Sequence, residues 1–321
     1  MQPPLRRRIL AGLLVLFAAG LPAETLTLAT YNIENYGPAN RMTEAGYRKD
    51  YPKPEAEKQA LRRVIRGLDA DVLVLQEMGG AVYLDELKRD LAAEGLVYPH
   101  AVLLAADDAD RHVALLSKRP LAETAQHTDL ELRYFGQKER VRRGLLEVRL
   151  IVAGGDLTIF GLHLKSRYTN RPDDPQSAIR RAAEATAIRD RILARVGDPA
   201  AVRFAVLGDC NDDKNSKALN FLQQRGKTKI AGLLPASDSR GEAWTHAYRK
   251  NDTYSRVDHV LVSAALAPAV VGGAARIYDG EGWREASDHR PVVVTLDFAA
   301  KKTGPVAVDR PRGETGELNW R

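Results

Sequence analysis

The stretch "FAVLGDCNDD" (204–213) carries four apolar residues into Gly208 and then into Asp209, Asn211, Asp212 and Asp213. Crowded carboxylates repel one another, so a cluster of this kind needs either a cation or phosphate chemistry to justify it, or a surface turn, where Asp and Asn side chains bond their own backbone. By itself the stretch permits both readings. The remainder of the chain decides between them.

Outward from this stretch, several other segments repeat the pattern of an apolar strand ending in polar residues. "TLTLATYNIEN" (25–35) alternates and then reaches Asn32 and Glu34. "ADVLVLQEM" (70–78) is an unbroken apolar run that delivers Glu77. "HVALLSK" (112–118), "RVDHVLVS" (256–263) and "PVVVTLDF" (291–298) are further strands, and "GLLEVRLIV" (144–152) and "LTIFGLHLKS" (157–166) flank Gly154-Gly155-Asp156, a hairpin signal. Helical periodicity covers 54–68, 83–94 and 177–196, with a shorter helix over 216–224. Helices follow strands without strict alternation, which favours mixed sheets with helices outside over a parallel barrel. Two stretches, 36–53 and 166–176, read as irregular loops of the kind that carry function.

The chain has 321 residues, 44% of them hydrophobic and 28% charged, enough for a substantial core. Residues 1–23 place Arg6, Arg7 and Arg8 before the apolar run "ILAGLLVLFAAGLPA", the layout of a signal peptide cleaved before Glu24. The expectation is an exported protein, periplasmic or secreted. Setting that leader aside lowers the formal net charge from +6 to +3, a mild excess that does not announce a nucleic-acid binder. Basic residues nevertheless concentrate in "QKERVRRG" (137–144), read as solvated surface, and in "HLKSRYTNR" (163–171). Cys210 is the only cysteine, so no internal disulfide forms, and it is expected to pack as a small buried hydrophobe. The tail 299–321 mixes charge with Pro and Gly and reads as flexible.

The strand-end residues are Asn32, Glu77, His163, Asp209, Asn211, Asp258, Asp288 and His289. Glu77 and Asp288 offer hard oxygen ligands suited to Mg²⁺. Asp209 and His289 can polarise an attacking water, and Asp258 can fix the tautomer of His289. Asn32 and Asn211 supply neutral polar groups, while Lys165 and His163 supply positive charge where negative charge develops. A calcium loop fails on detail, because Lys214 stands at its sixth position and Asn220 at its twelfth. There is no G-x-S-x-G nucleophile and no P-loop.

With "TYNIEN", "LQEM", "HLKS", "GDCND", "RVDHVLVS" and "SDHRPV" in this order from about Thr25 to Phe298, the chain resembles the endonuclease/exonuclease/phosphatase superfamily of DNase I-like enzymes. The resemblance implies an α/β fold, a four-layer α/β/β/α sandwich of two mixed β-sheets flanked by helices, spanning 24–298. It further implies that Glu77 binds a divalent metal with Asn32 and Asp288 close by; the ion is expected to be Mg²⁺, with Mn²⁺ or Ca²⁺ as alternatives. By the same resemblance, Asp209 positions or deprotonates the water, Asn211 contacts the phosphate, Asp258 pairs with His289 on the scissile phosphate, and His163 is a second phosphate-facing group or general acid. The choice of Asp209 or His289 as base, and of one metal ion or two, stays open. Cys210 and His259 depart from commoner residues at their positions, without touching the catalytic set. The expected activity is an exported metal-dependent phosphodiesterase cleaving nucleic acid, with Lys165 and its neighbours on the polymer's phosphates. The alternative is a phosphohydrolase of a lipid head group or small ester. No stable protein partner is expected, and the protein is read as a monomer.

Overall fold

The computed structural model of the protein describes residues 24–43 and 45–298. The leader-like segment 1–23 and the tail 299–321 lie outside the described residues. Two large mixed sheets face each other. One has seven strands in the order 236–237, 275–277, 292–297, 25–36, 72–78, 112–117, 100–104; the other has six, 232–233, 258–262, 204–209, 155–163, 145–152, 123–127. Leu26, Leu28, Val72 and Val74 from the first meet Val148, Ile159, Leu207 and Val260 from the second in a central apolar layer.

Helices close the outer faces. In α1 (Glu55–Leu68) the apolar residues Ala60, Leu61, Val64, Ile65 and Leu68 recur at helical spacing and are buried, while Glu55 and Glu57 in the first turn complement its N-terminal dipole. It packs with α2 (Ala81–Ala93) on the seven-stranded sheet, against Tyr31, Leu73 and Leu75. The other sheet is covered by α3 (Ala178–Val196), through Ala185, Ile188 and Ile192, and by α4 (Lys217–Gln223), whose first turn is capped by Ser216 accepting from Leu219 N at 3.2 Å. The layers run helix, sheet, sheet, helix, as the family resemblance implies. Sheets covered on both faces explain why the central strands read as unbroken apolar runs rather than as alternation.

One expectation is overturned. Stretch 36–53 is not irregular throughout: Ala39–Thr43 and Gly46–Tyr51 form an antiparallel hairpin. Its residues are exposed or half-buried, so no buried face imposes the apolar alternation by which a strand is recognised. Loop 166–176 contains no helix or strand. Among the described residues no helix is long and apolar enough to cross a membrane.

Strand direction creates the site. Strands 25–36 and 72–78 run parallel in one sheet, as do 155–163 and 204–209 in the other, so each pair ends at the same rim. Their antiparallel neighbours, 292–297 and 258–262, begin at that rim. C-terminal ends therefore deliver Asn32, Glu77, His163 and Asp209 to the place where N-terminal ends deliver Asp258 and the Asp288-His289 pair.

Candidate active site

Register sets the first three groups side by side: His163 pairs with Asp209 across one strand boundary, and Asp209 with Asp258 across the next. Directly opposed residues share a face, so the three side chains form a row. Gly208 permits the close approach. Its φ is +153°, and a Cβ there would meet the Leu162 carbonyl oxygen at 2.0 Å. Asp209 is buried and well bonded, its Oδ1 accepting from Asn211 N (2.7 Å) and its Oδ2 from Asn32 Nδ2 (3.0 Å) and Asn211 Nδ2 (3.1 Å). Burial and then the nearby Asp258 charge push its carboxyl up to about 6, against the opposing pull of His289 and these donors.

His289 stands over that row. Its Nδ1 lies 2.8 Å from Asp258 Oδ2, while Nε2 is 3.9 Å from both Asp209 Oδ2 and Asp288 Oδ1. Burial opposes its charge, yet the surrounding carboxylates, Asp258 first, hold the imidazole well above its usual range. His163 differs. Burial, with Arg143 and His289 nearby, holds it neutral, its Nε2 3.4 Å from Asp209 Oδ2. The motif "SDHR" has a mechanical role as well: Ser287 Oγ donates to the Asn32 carbonyl (2.8 Å) and accepts from His289 N (3.0 Å), tying the approach to His289 to the strand that bears Asn32. Two further bonds, Asn32 to Asp209 and His289 to Asp258, then join the rim of one sheet to the rim of the other.

Above this row opens a cavity of about 650 Å³ whose lining includes Glu34, Glu77, His163, Lys165, Asp288 and His289. Four residues expected at the site, Asn32, Asp209, Asn211 and Asp258, sit behind the lining and support it. The Asn211 amide nitrogen donates to the Leu164 carbonyl (3.1 Å) and to Asp209. Its part in the geometry is to hold Asp209. Glu34, Asn35, Glu77 and Asn211 all adopt left-handed backbone (φ +49° to +62°), a costly conformation for residues that carry a Cβ. It turns each chain off its strand as it reaches the rim.

The donor set fits a hard cation. Glu34, Glu77 and Asp288 present carboxylates to one cavity, and burial, then the Asp288 charge, pushes Glu34 up to about 7. Asp288 itself, although burial opposes its ionisation, is held down to about 2 by His246 and His289. A divalent ion would offset the repulsion within this set, and its preference for carboxylate oxygen matches the ligands on offer.

Cations reach the cavity too, interleaved with Asp107, Asp108, Asp110 and Glu184, most of them outside the segment expected to supply them. Arg111, Arg142 and Arg143 reach the cavity with Lys165. The expectation of a solvated 137–144 holds for Gln137–Arg140, a largely exposed hairpin strand, and fails at Arg143, which is buried with Nε 3.0 Å from Asp108 Oδ2 and Nη1 2.9 Å from the Leu164 carbonyl. Within "HLKSRYTNR", Arg167 turns to the Asn211 carbonyl and Asp213, and Arg171 to Asp173. Lys165 does line the cavity, with its Nζ on Ser166 and the Tyr168 carbonyl. His246, 3.6 Å from Asp288 Oδ2 and 4.6 Å from the His289 ring, joins the site without any sequence signal; its strand, His246–Tyr248, is too short to leave a pattern. Cys210 is buried beside Asp209, as expected.

His259 gains a definite place. Fully buried, its Nε2 is 2.9 Å from the Asp212 carbonyl, pinning the turn that follows Asp209. Burial, only partly offset by that bond, lowers it to about 4. Below pH 6.5 the unfolded chain therefore binds a proton that the folded protein refuses until about pH 4, so stability rises with pH across that window. Relative to His259→Gln, the unaltered protein is expected to lose about 3 kcal/mol more on acidification from pH 6.5 to pH 4. Urea unfolding at the two pH values measures this; equal losses in both proteins contradict it.

Known structures share this arrangement of sheets. Beta toxin 275-280 from Staphylococcus aureus aligns at a TM-score of 0.59 and 15% identity, covering 84% of this chain and 99% of that one; a double mutant of the same toxin has been solved with bound magnesium ions. Sphingomyelinase C from Streptomyces griseocarneus gives 0.58 and 17%, covering 85% and 99%. An endonuclease/exonuclease/phosphatase family protein from Bacteroides thetaiotaomicron gives 0.57 and 18%, covering 87% and 99%. At such identities these likenesses establish the fold alone. No curated protein sequence matches the chain. The sequence profile described as "Endonuclease/Exonuclease/phosphatase family" matches residues 29–289, from the strand bearing Asn32 to the histidine held by Asp258. By that match over most of its length, the chain belongs to the Endonuclease/Exonuclease/phosphatase family.

Proposed function

We propose that this protein is an exported, divalent-metal-dependent phosphodiesterase that hydrolyses nucleic acid by in-line attack of water. Phosphoric ester hydrolysis with a divalent metal is the chemistry of the family. The observation that carries the reading is one cavity where Glu34, Glu77 and Asp288 meet His289, backed by the buried Asp209 and Asp258, and where Arg111, Arg142, Arg143 and Lys165 also reach the lining, interleaved with Asp107, Asp108, Asp110 and Glu184. A single scissile phosphate needs few cations, whereas a polymer brings further phosphates within reach of Arg111, Arg142 and Lys165, Arg143 being held by Asp108. Export rests on the leader-like segment 1–23.

Glu77 and Asp288, with Glu34 beside them and Asn32 behind, would hold the metal. Bound there, a divalent ion supplies neutralisation of the phosphate charge. Asp209, its carboxyl raised to about 6 and so ionised at neutral pH, lies directly behind the lining, 3.4 Å from His163 Nε2 and 3.9 Å from His289 Nε2, and takes the proton of a water drawn in between those two rings. Water oxygen bonds to phosphorus, the ester P–O bond breaks, and the leaving oxygen regains a proton from solvent. His289, kept charged and oriented by Asp258, donates from Nε2 to the phosphate oxygens as their charge builds. His163, neutral, acts as a hydrogen-bond donor rather than as the general acid. Asn32 and Asn211 fix Asp209 in place.

Salt separates this substrate from its alternative. Cleavage of a DNA duplex is expected to fall steeply between about 50 and about 200 mM NaCl, on the order of tenfold or more, as phosphate contacts are screened. Hydrolysis of bis(p-nitrophenyl) phosphate over the same range should change by less than about twofold. Hydrolysis confined to sphingomyelin or a small ester, with nucleic acid left intact, contradicts the assignment.

A further inference from the structure

A second cleft, of about 800 Å³, lies beside the active site and is lined by Trp244, Tyr254, Trp283, Arg240, Arg249 and Arg284 among others. The hairpin His246–Tyr248/Thr253–Ser255 divides it from the catalytic cavity. His246 pairs with Ser255 and Ala247 with Tyr254, and successive side chains of a strand point to opposite faces. His246 lies 4.6 Å from the His289 ring on the catalytic side. Ala247 and Tyr254 consequently line the second cleft, on the far side of the same two-stranded wall.

Trp244 is the centre of the aromatic set. Its ring lies 4.8 Å from Tyr254 and 5.3 Å from Trp283, and the buried Arg290 guanidinium sits 3.4 Å from its centroid. Tyr254 lines the cleft and is 60% exposed, its ring tilted at 53° to that of Trp244. Arg284 lies over Trp283 at 5.1 Å, and Arg249 fastens the short helix Trp283–Ala286 by donating to the Arg284 and Ser287 carbonyls. Glu242, the acid at the rim, is occupied by Arg240 (3.0 Å) and the Trp244 indole N–H (2.9 Å).

An aromatic cleft suits two ligand chemistries. A quaternary ammonium prefers a cage without cations, and three arginines at the rim with a fourth on the Trp244 face repel it. A nucleobase linked to phosphate wants both a π-face and guanidinium groups. We propose that this cleft is a stacking subsite for an unpaired base of the substrate strand, carried past the hairpin while its scissile phosphate lies over His289. The proposal rests on the nucleic-acid reading and adds to it that a base beside the scissile phosphate is unpaired when bound, in a single strand or in a locally opened duplex.

Trp244 and Trp283 are two of the chain's three tryptophans, so binding reports on itself. With EDTA present to prevent cleavage, an oligothymidylate should quench the intrinsic fluorescence. Tyr254→Ala should raise its Kd about tenfold, and Tyr254→Phe, which retains the ring, should restore it. Arg284→Gln should weaken binding and flatten its salt dependence. An unchanged Kd in Tyr254→Ala, or quenching by phosphocholine in place of the oligonucleotide, overturns the subsite. The parent reading fails separately: it falls if the unaltered protein hydrolyses bis(p-nitrophenyl) phosphate but cleaves no polynucleotide, whereas normal cleavage with an unaffected Tyr254→Ala removes the subsite alone.

Discussion

Asp258→Asn is expected to reduce kcat about a thousandfold or more while leaving the protein folded. Among the described residues, the Asp258 carboxylate is the hydrogen-bond partner of the His289 ring, at 2.8 Å from Nδ1. It does two things there: it holds the proton on Nδ1, presenting Nε2 to the cavity, and it stabilises the charged ring. An amide of the same shape removes the charge and allows the wrong tautomer, a change that costs about 10⁴-fold where such pairs have been dissected. Packing should survive, because the backbone N–H of Asp258 remains bonded to Thr245 Oγ1 at 3.1 Å. Steady-state hydrolysis of a phosphodiester, read beside the melting temperature, checks this. A kcat within about tenfold of the unaltered protein would sink the orienting role of Asp258.

Arg290→Met carries the largest expected effect on stability. Arg290 follows His289 and is fully buried, its Nη1 2.7 Å from Asp238 Oδ2 and its Nε 3.1 Å from the Trp244 carbonyl. Asp238 accepts in addition from the backbone N–H groups of Arg240 and Glu242, each at 2.9 Å. Removing the guanidinium leaves that buried carboxylate with only the exposed Arg240 guanidinium, 3.5 Å away, as countercharge, a loss of about 3 kcal/mol, which lowers Tm by roughly 5–10 °C for a chain of this size. Replacing both partners, Arg290→Met with Asp238→Leu, should recover part of the loss, since the penalty comes from the stranded charge. A Tm shift below about 2 °C in the single variant contradicts the structural weight given to this pair.

Legibility in the sequence follows burial. The central strands are readable because both of their faces are covered, and the strand-end residues stand out because each interrupts an apolar run. Asp209, Asp258 and His289 are identifiable together since register places them within a few residues of such interruptions. Asn211 is legible as a strand-end residue, but the direction of its side chain is not: a left-handed residue folds back on its own neighbour, and spacing does not encode that turn. Arg143 reads as surface because it lies in a basic run, and only its partner Asp108, 35 positions away, accounts for its burial. Glu34 is visible at a strand end without its role, which depends on Asp288 arriving from the far end of the chain. His246 and the aromatic cleft sit on strands of three residues and on loops, where periodicity carries no information.

The most direct test of the central claim is conversion of supercoiled plasmid to nicked circles by the purified protein in Mg²⁺, beside the same reaction in EDTA and with His289→Ala. Nicking is expected in Mg²⁺, is expected to be lost in EDTA, and should fall at least about a hundredfold in the variant. Plasmid left intact by the unaltered protein would contradict the nuclease activity, and nicking that persists without His289 would contradict the site assigned to it.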